Sequence, residues 1–399
     1  MSPIPPLLIT ILFVGTTVAS AQQRQEDTRT QYPRLLRNSF VGFDVGWIGY
    51  DFSERQLEPG VHAQAIGVPH VAARVAVFGH ELNRFVSVQG TYMRPVRFVS
   101  YRGLSIDGSS RHVWTHFGGV TLIGRIPLDR RVWLYGEGGL GITSRHGFSV
   151  NDVAVVPDAH YASALAGGGL EYHVNDRWDL TGDALYSPGS TRVEQPRAVF
   201  VSGGLRYTMR PLPAERVIAN RESGFSFPAH VLQVEYSTGV GYGINTFVSK
   251  DVPVFWGGNV KTDVGVSGHY EQNVFHTRKI FALDMGTSVG VWRSRVDHDA
   301  FVTLSAYPLL RFTVLRRRSA DLFISYSLAG PTYISRTVID GLNTGHHFTF
   351  QDFMGVGLFV GARRRTSIVV KINHYSNGNI FTENAGVKVP LTFGIGRTF

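Results

Sequence analysis

The chain has 399 residues, 39 Lys and Arg against 30 Asp and Glu, a net charge of +9, no cysteine and only 17% charged residues. The missing cysteine excludes a disulfide scaffold, a thiolate metal site, a cysteine nucleophile and a cysteine-linked lipid anchor. The low charge fraction, against about 25% in ordinary domains, excludes a soluble charged-surface protein, and the apolar content excludes disorder.

In chain order, Leu7 to Ala19 is an apolar run followed by Ala19-Ser20-Ala21. This is the pattern of a signal peptide over 1–21, with Gln22 as the mature N-terminus. The run is too short for a transmembrane helix, which needs about 20 residues. Residues 22–37 are polar and read as a flexible lead-in.

From 38 onward the chain alternates at period two. Trp178, Leu180, Gly182, Ala184 and Tyr186 share one face, and Asp179, Thr181 and Asp183 the other. Such alternation means strands with one apolar and one polar face. Eight are expected between 38 and 209, near 40–50, 69–78, 85–101, 111–126, 131–145, 159–174, 177–187 and 197–208. Eight more are expected between 229 and 399, near 229–241, 260–273, 279–293, 300–316, 320–332, 347–362, 366–376 and 386–399. Short turns such as Asn175-Asp176, Arg317–Ser319 and Arg363–Arg365 alternate with longer polar loops. Short turns on one side and long loops on the other are the layout of a transmembrane β-barrel. The segment 210–228 carries Pro211, Pro213 and Pro228 and is too long and polar for a tight turn, so it reads as a periplasmic linker. The expected fold is therefore all-β: two tandem eight-stranded antiparallel transmembrane β-barrels in the bacterial outer membrane. One sixteen-stranded barrel is the competing topology.

Most chemical-looking motifs have bland readings. Gly136-Glu137-Gly138-Gly139-Leu140-Gly141 has no following helix to hold a pyrophosphate, and Gly286-Thr287-Ser288-Val289-Gly290 lacks a nucleophile elbow's strand-turn-helix setting. His346-His347 lacks further ligands in sequence. The clusters Arg316–Arg318 and Arg363–Arg365 read as solvated turn residues or inner-leaflet anchors. No metal, organic cofactor or nucleic-acid partner is expected.

His374-Tyr375-Ser376-Asn377-Gly378 is different. Ile368, Val370, Ile372, His374 and Ser376 form one row, so His374 and Ser376 continue a lipid-facing stripe toward the outer loop 377–385. A histidine on a lipid face is expensive unless it reaches the interface or does something. Residues i and i+2 of a strand stand on one face about 7 Å apart, close enough for a Ser-His pair.

His374-Tyr375-Ser376-Asn377 resembles the signature of outer-membrane lipid A 3-O-deacylases (the PagL type, acyloxyacyl hydrolase-like). The resemblance spans roughly 260–399 and includes Leu304–Leu309, Phe348–Asp352 and Asn384–Val387. The N-terminal half resembles small OmpA-type barrels and has no H-x-S pair. The first resemblance implies a serine esterase acting on lipopolysaccharide in the outer leaflet. It implies Ser376 as nucleophile, His374 as its base, and Asn377 with the Gly378 amide as oxyanion hole. Family members carry a Glu fourteen residues after the His; here that position is Lys388. Alternation with Val387 and Val389 puts Lys388 on the inward face. Glu383 and Asp352 remain as rival acids, with Asn384 as a neutral option. The alternative function is a non-enzymatic barrel pair serving as adhesin, receptor or envelope stabiliser. A homodimer is compatible with the sequence.

Overall fold

The computed structural model describes residues 28–399 except 152 and 252–256. The signal peptide expected at 1–21 lies outside the described residues. The first barrel is built from β1 (Ser39–Tyr50), β2 (Val71–Glu81), β3 (Val86–Pro95), β4 (Arg111–Pro127), β5 (Val132–His146), β6 (Ala159–His173), β7 (Trp178–Ser187) and β8 (Ala198–Thr208). Each pairs antiparallel with the next, and β8 returns to β1 with Phe40 opposite Thr208. Two short strands, Ala63–Gly67 and Val99–Leu104, extend the wall beyond the outer end of β4.

The second barrel uses β9 (His230–Ser237), β10 (Val260–His276), β11 (Phe281–Ser294), β12 (Ala300–Arg316), β13 (Ala320–Ile334), β14 (Phe348–Val360), β15 (Thr366–Ser376) and β16 (Val387–Thr398). It closes where β9 meets β16, with Val231 opposite Thr398. The fold is thus two closed eight-stranded barrels and not one of sixteen. Short turns separate the strand pairs on the side of the chain ends, and long loops fill the other side.

Both barrels are inside-out relative to a soluble protein. Val41, Phe43, Val45 and Trp47 on β1 are exposed, while Asp44 between them is buried. In the first lumen Arg74 bridges Glu137 at 2.8 Å and Asp183 at 3.2 Å, and Arg125 holds Glu171 at 2.8 Å. In the second, Lys371 meets Glu235 at 2.7 Å, and Arg311 meets Glu271 and Asp284, each at 2.6 Å. Ions sealed in a narrow barrel are tolerated only as paired networks. An apolar exterior around a polar, ion-paired lumen requires lipid outside. Both units are outer-membrane barrels.

The lead-in is packed where residues 28–37 are described. Tyr32 is buried with its ring 4.4 Å from that of Phe275, and Gln31 exchanges hydrogen bonds with the backbone of Leu212. A flexible reading is therefore corrected for these residues: the apolar pair Tyr32 and Leu36 finds a partner in the base of the second barrel. The linker also holds a short helix, Ala214–Arg221. Arg316 and Arg364, expected as solvated turn residues or inner-leaflet anchors, both bind Asp321, at 2.8 and 2.9 Å, and Arg316 is flanked by the rings of Phe225 and Phe227.

Candidate active site

The outward row of β15 runs Ile368, Val370, Ile372, His374, Ser376. Ile368 is exposed, but Ile372 and His374 are buried although they lie on the outer wall. Burial on that wall needs a cover. Gly386, at φ +61°, carries the chain over His374: a Cβ there would lie 3.4 Å from His374 Nε2 and 3.2 Å from Gly258 Cα. The N–H groups of Asn259 and Val260 anchor this cover on the Gly386 carbonyl, at 3.1 and 3.0 Å.

The register between β14 and β15 is unbroken and sets Asp352 opposite His374, with Phe350 opposite Ser376. Cross-strand partners share a face. Asp352 Oδ2 lies 3.5 Å from His374 Nδ1, with both side chains buried. The other oxygen, Oδ1, accepts from the Ala329 N–H at 2.6 Å. That amide is aimed by an irregularity in β13, where pairing with β14 slips between Ser327 and Gly330 and Ala329 takes φ +50°. One carboxylate is thus clamped between a bulge and an imidazole. Nδ1 thus faces the acid, and Nε2 lies beneath Gly386. Ser376 sits two residues on, half-buried, on the same face.

Glu383, the rival acid, stands in the loop at φ +62°, where its backbone carbonyl accepts from Asn377 Nδ2 at 2.7 Å. Asn377 is fully buried as the core of this loop. Its N–H donates to Asn384 Oδ1 at 3.0 Å, its Oδ1 accepts from the Asn379 N–H at 2.9 Å, and its Nδ2 also reaches the Thr344 carbonyl at 3.4 Å. Asn377 therefore shapes the loop with the groups an oxyanion hole would use. Gly378 follows at φ +64°, beside the Phe350 ring.

Lys388 does not face inward as alternation suggested. Between Lys371 and Asn373 on β15 the facing residues on β16 step from Thr392 to Val389, so β16 holds one extra residue at Pro390–Leu391. The extra residue reverses the parity of everything before it. Val387 and Val389 turn inward into a core with Trp292 and Tyr375, and Lys388 turns outward, directly opposite His374. His374 is therefore flanked by Asp352 on β14 and Lys388 on β16.

The remaining motifs stay outside the site. Gly136–Gly141 lies within β5. Ser288 points into the lumen and donates to Gln351 at 3.2 Å. A sealed cluster of Ser267, His269 and Glu235 also fills the lumen, with His269 Nε2 3.1 Å from the serine and 3.2 Å from the glutamate. It has triad-like composition but is buried on all sides. Among the described residues, Asp297, Asp299 and Asp340 form the one carboxylate group close enough to share a cation. The oxygens of Asp299 and Asp340 already serve Ser294, Arg336 and loop amides. Sequence reasoning missed the roles of Gly386, Ala329, Asn379 and Asn384. A glycine directly after Asn-Ala, and Pro390 inside a strand, were the available signals.

No curated relative matches the chain. Solved structures similar to it include the outer membrane enzyme PagL (18% identity over 43% of this chain and 99% of that one, TM-score 0.29). They also include Neisserial surface protein A (16%, 43% and 97%, TM-score 0.29) and the N-terminal β-barrel domain of Pseudomonas aeruginosa OprF (13%, 43% and 98%, TM-score 0.27). The family model of lipid A 3-O-deacylase (PagL) matches residues 254–389, and it is in this second barrel, with His374 and Ser376 inside the matched segment, that the chain shows its family resemblance.

Proposed function

We propose that the protein is an outer-membrane serine esterase that removes the 3-O-linked acyl chain of lipid A. The observation that carries this reading is the row Asp352, His374, Ser376 on the outer wall, at the loop end of the barrel that matches the deacylase family model. An outward site in the outer leaflet can attack a lipid ester without drawing the lipid from the membrane.

Ser376 Oγ attacks the ester carbonyl carbon while His374 Nε2 takes its proton. The imidazolium so formed is stabilised by Asp352 through Nδ1. The tetrahedral oxyanion takes a hydrogen bond from the Gly378 N–H. Asn377 holds that loop and joins as a donor only if its own amide contacts are released. Collapse of the intermediate breaks the bond to the 3-oxygen of the glucosamine, which leaves with the proton from His374. Water then enters by the same route, giving up a proton to His374 and freeing the fatty acid and Ser376. No cofactor is required by these steps.

The test is mass spectrometry of lipid A from an outer membrane carrying the wild-type chain or Ser376→Ala. The expected result is loss of one hydroxyacyl chain with the wild type only. Identical spectra would favour a non-enzymatic barrel pair, a reading supported by Lys388 at the family's glutamate position and by the committed amide groups of Asn377.

A further inference from the structure

The outer end of the first barrel carries polar residues where lipid-facing ones belong. His116 on β4, Ser144 on β5 and His160 on β6 stand opposite one another in register, and His146 follows two residues after Ser144. They share the wall that presents Leu140, which is 79% exposed. Polar groups on that wall are costly unless they are partnered. His116 pairs with Tyr92, and Ser144 and His146 find their partner in the loop after Ser376 in the second barrel. Ser144 Oγ donates to the Asn379 carbonyl at 2.6 Å and is itself 2.7 Å from His160 Nδ1. His146 Nε2 donates to Asn379 Oδ1 at 2.9 Å. The same Oδ1 accepts from Asn384 Nδ2 at 2.8 Å, and Asn384 Oδ1 holds the Asn377 N–H. A continuous hydrogen-bonded path thus runs from the wall of one barrel to the residue beside the nucleophile of the other. At the opposite end the barrels are joined by Tyr32 against Phe275, so the arrangement is held at both ends.

We propose that the first barrel is a positioning element for the catalytic loop of the second, acting through Ser144 and His146 on Asn379. The proposal rests on the esterase reading above and gives the barrel that lacks the H-x-S motif its role. Ser144, His146 and Asn379 are positioning residues: they touch the loop that presents Gly378 and not the substrate. Asp158 beside His146 supports the arrangement, since the imidazole 3.8 Å away holds its carboxyl below the usual carboxylate range.

The experiment uses the full chain in outer-membrane vesicles. The double substitution Ser144→Ala with His146→Ala is expected to lower kcat for lipid A deacylation about 10-fold or more, the scale of small misplacements in a site, with KM little changed. Asn379→Ala gives at least as large a loss, since it also removes the acceptor of Asn384 Nδ2, and adding His146→Ala to it costs nothing further, because that contact is already gone. His146→Gln, whose Nε2 can donate to the same oxygen, restores most of the rate. Multiplicative losses, a change in KM alone, or no change would overturn the proposal, provided the barrels keep their heat-modifiable mobility on gels. The second measurement needs no activity. His146→Cys with Asn379→Cys, placed in the otherwise cysteine-free Ser376→Ala chain, is treated with a short thiol cross-linker and then cleaved in the linker 210–228. The two barrels should migrate as one band under denaturing conditions. Two bands would refute the contact whatever lipid A shows. One band together with a wild type that deacylates nothing would overturn the esterase reading and the positioning role with it, while leaving the contact standing.

Discussion

Asp352→Asn separates orientation from scaffolding. The amide keeps an oxygen for the Ala329 N–H, so the bulge in β13 stays anchored, but the negative charge beside His374 is lost. Over the observed 3.5 Å, and at an effective dielectric of about 20, the attraction of the carboxylate for an imidazolium is about 5 kcal/mol. If all of it is expressed when His374 is protonated, kcat falls by about 10³–10⁴-fold, the scale seen when a triad aspartate is replaced by its amide. The assay is the initial rate of hydroxyacyl release from lipid A in mixed vesicles, read by mass spectrometry. A rate within about three-fold of wild type would refute the assignment, as would a larger loss for Glu383→Ala than for Asp352→Asn. The register adds a second arm. Position 388 flanks His374 on the other side, at a cross-strand Cβ separation of about 4.5–5.5 Å. Lys388→Glu placed in the Asp352→Asn chain should therefore recover at least about ten-fold, by supplying the carboxylate from β16. No recovery would mean that the acid is not interchangeable between the two flanking strands.

Three further outcomes test the frame around the site. Ser288→Ala should leave deacylation unchanged, because that serine faces the lumen and donates to Gln351; a loss of activity would contradict its placement. Leu140→Arg puts a charge on the lipid face near mid-barrel and should destabilise the protein by about 2–4 kcal/mol in urea unfolding from vesicles. An unchanged midpoint would argue against the sidedness of β5. Gly386→Ala places a Cβ against His374 Nε2 and Gly258 at a left-handed φ, so it should cost about 1–2 kcal/mol of stability and slow deacylation. Full activity would show that the cover over His374 is loose.

The sixteen strands were legible because each leaves a period-two trace and each pair is punctuated by a polar turn. The row Ile368 to Ser376 was legible for the same reason, while the pairing of Asp352 with His374 comes from the unbroken register of β14 and β15. What escaped was where the period breaks. Pro390 adds a residue to β16 and moves Lys388 from the lumen to the outer wall. The slip near Ala329 adds an amide donor for Asp352 that no alternation pattern contains. The lead-in escaped because its contacts span some 240 residues in sequence, from Tyr32 to Phe275. Composition reads such a segment as polar and free, and only the docked barrel gives Tyr32 and Leu36 somewhere to go.

These breaks bear on how a catalytic acid can change strands. In a strand pair, a residue reaches His374 only if it shares its face, and face is decided by parity alone. On β16 the extra residue puts position 388 on the catalytic face, so a carboxylate there would serve. On β14 the unbroken register puts position 352 on the same face from the other side. Two seats therefore flank one imidazole, and an acid holds one while a lysine holds the other. The bulge in β13 favours the occupied seat, because its free amide pairs with one carboxylate oxygen and turns the second toward Nδ1. A buried acid with one hydrogen bond and one imidazole neighbour is better satisfied than one facing lipid alone. On the esterase reading proposed above, the departure at Lys388 is a relocation of the acid from one wall strand to the other, and it leaves the polarity of the Asp352, His374, Ser376 row intact.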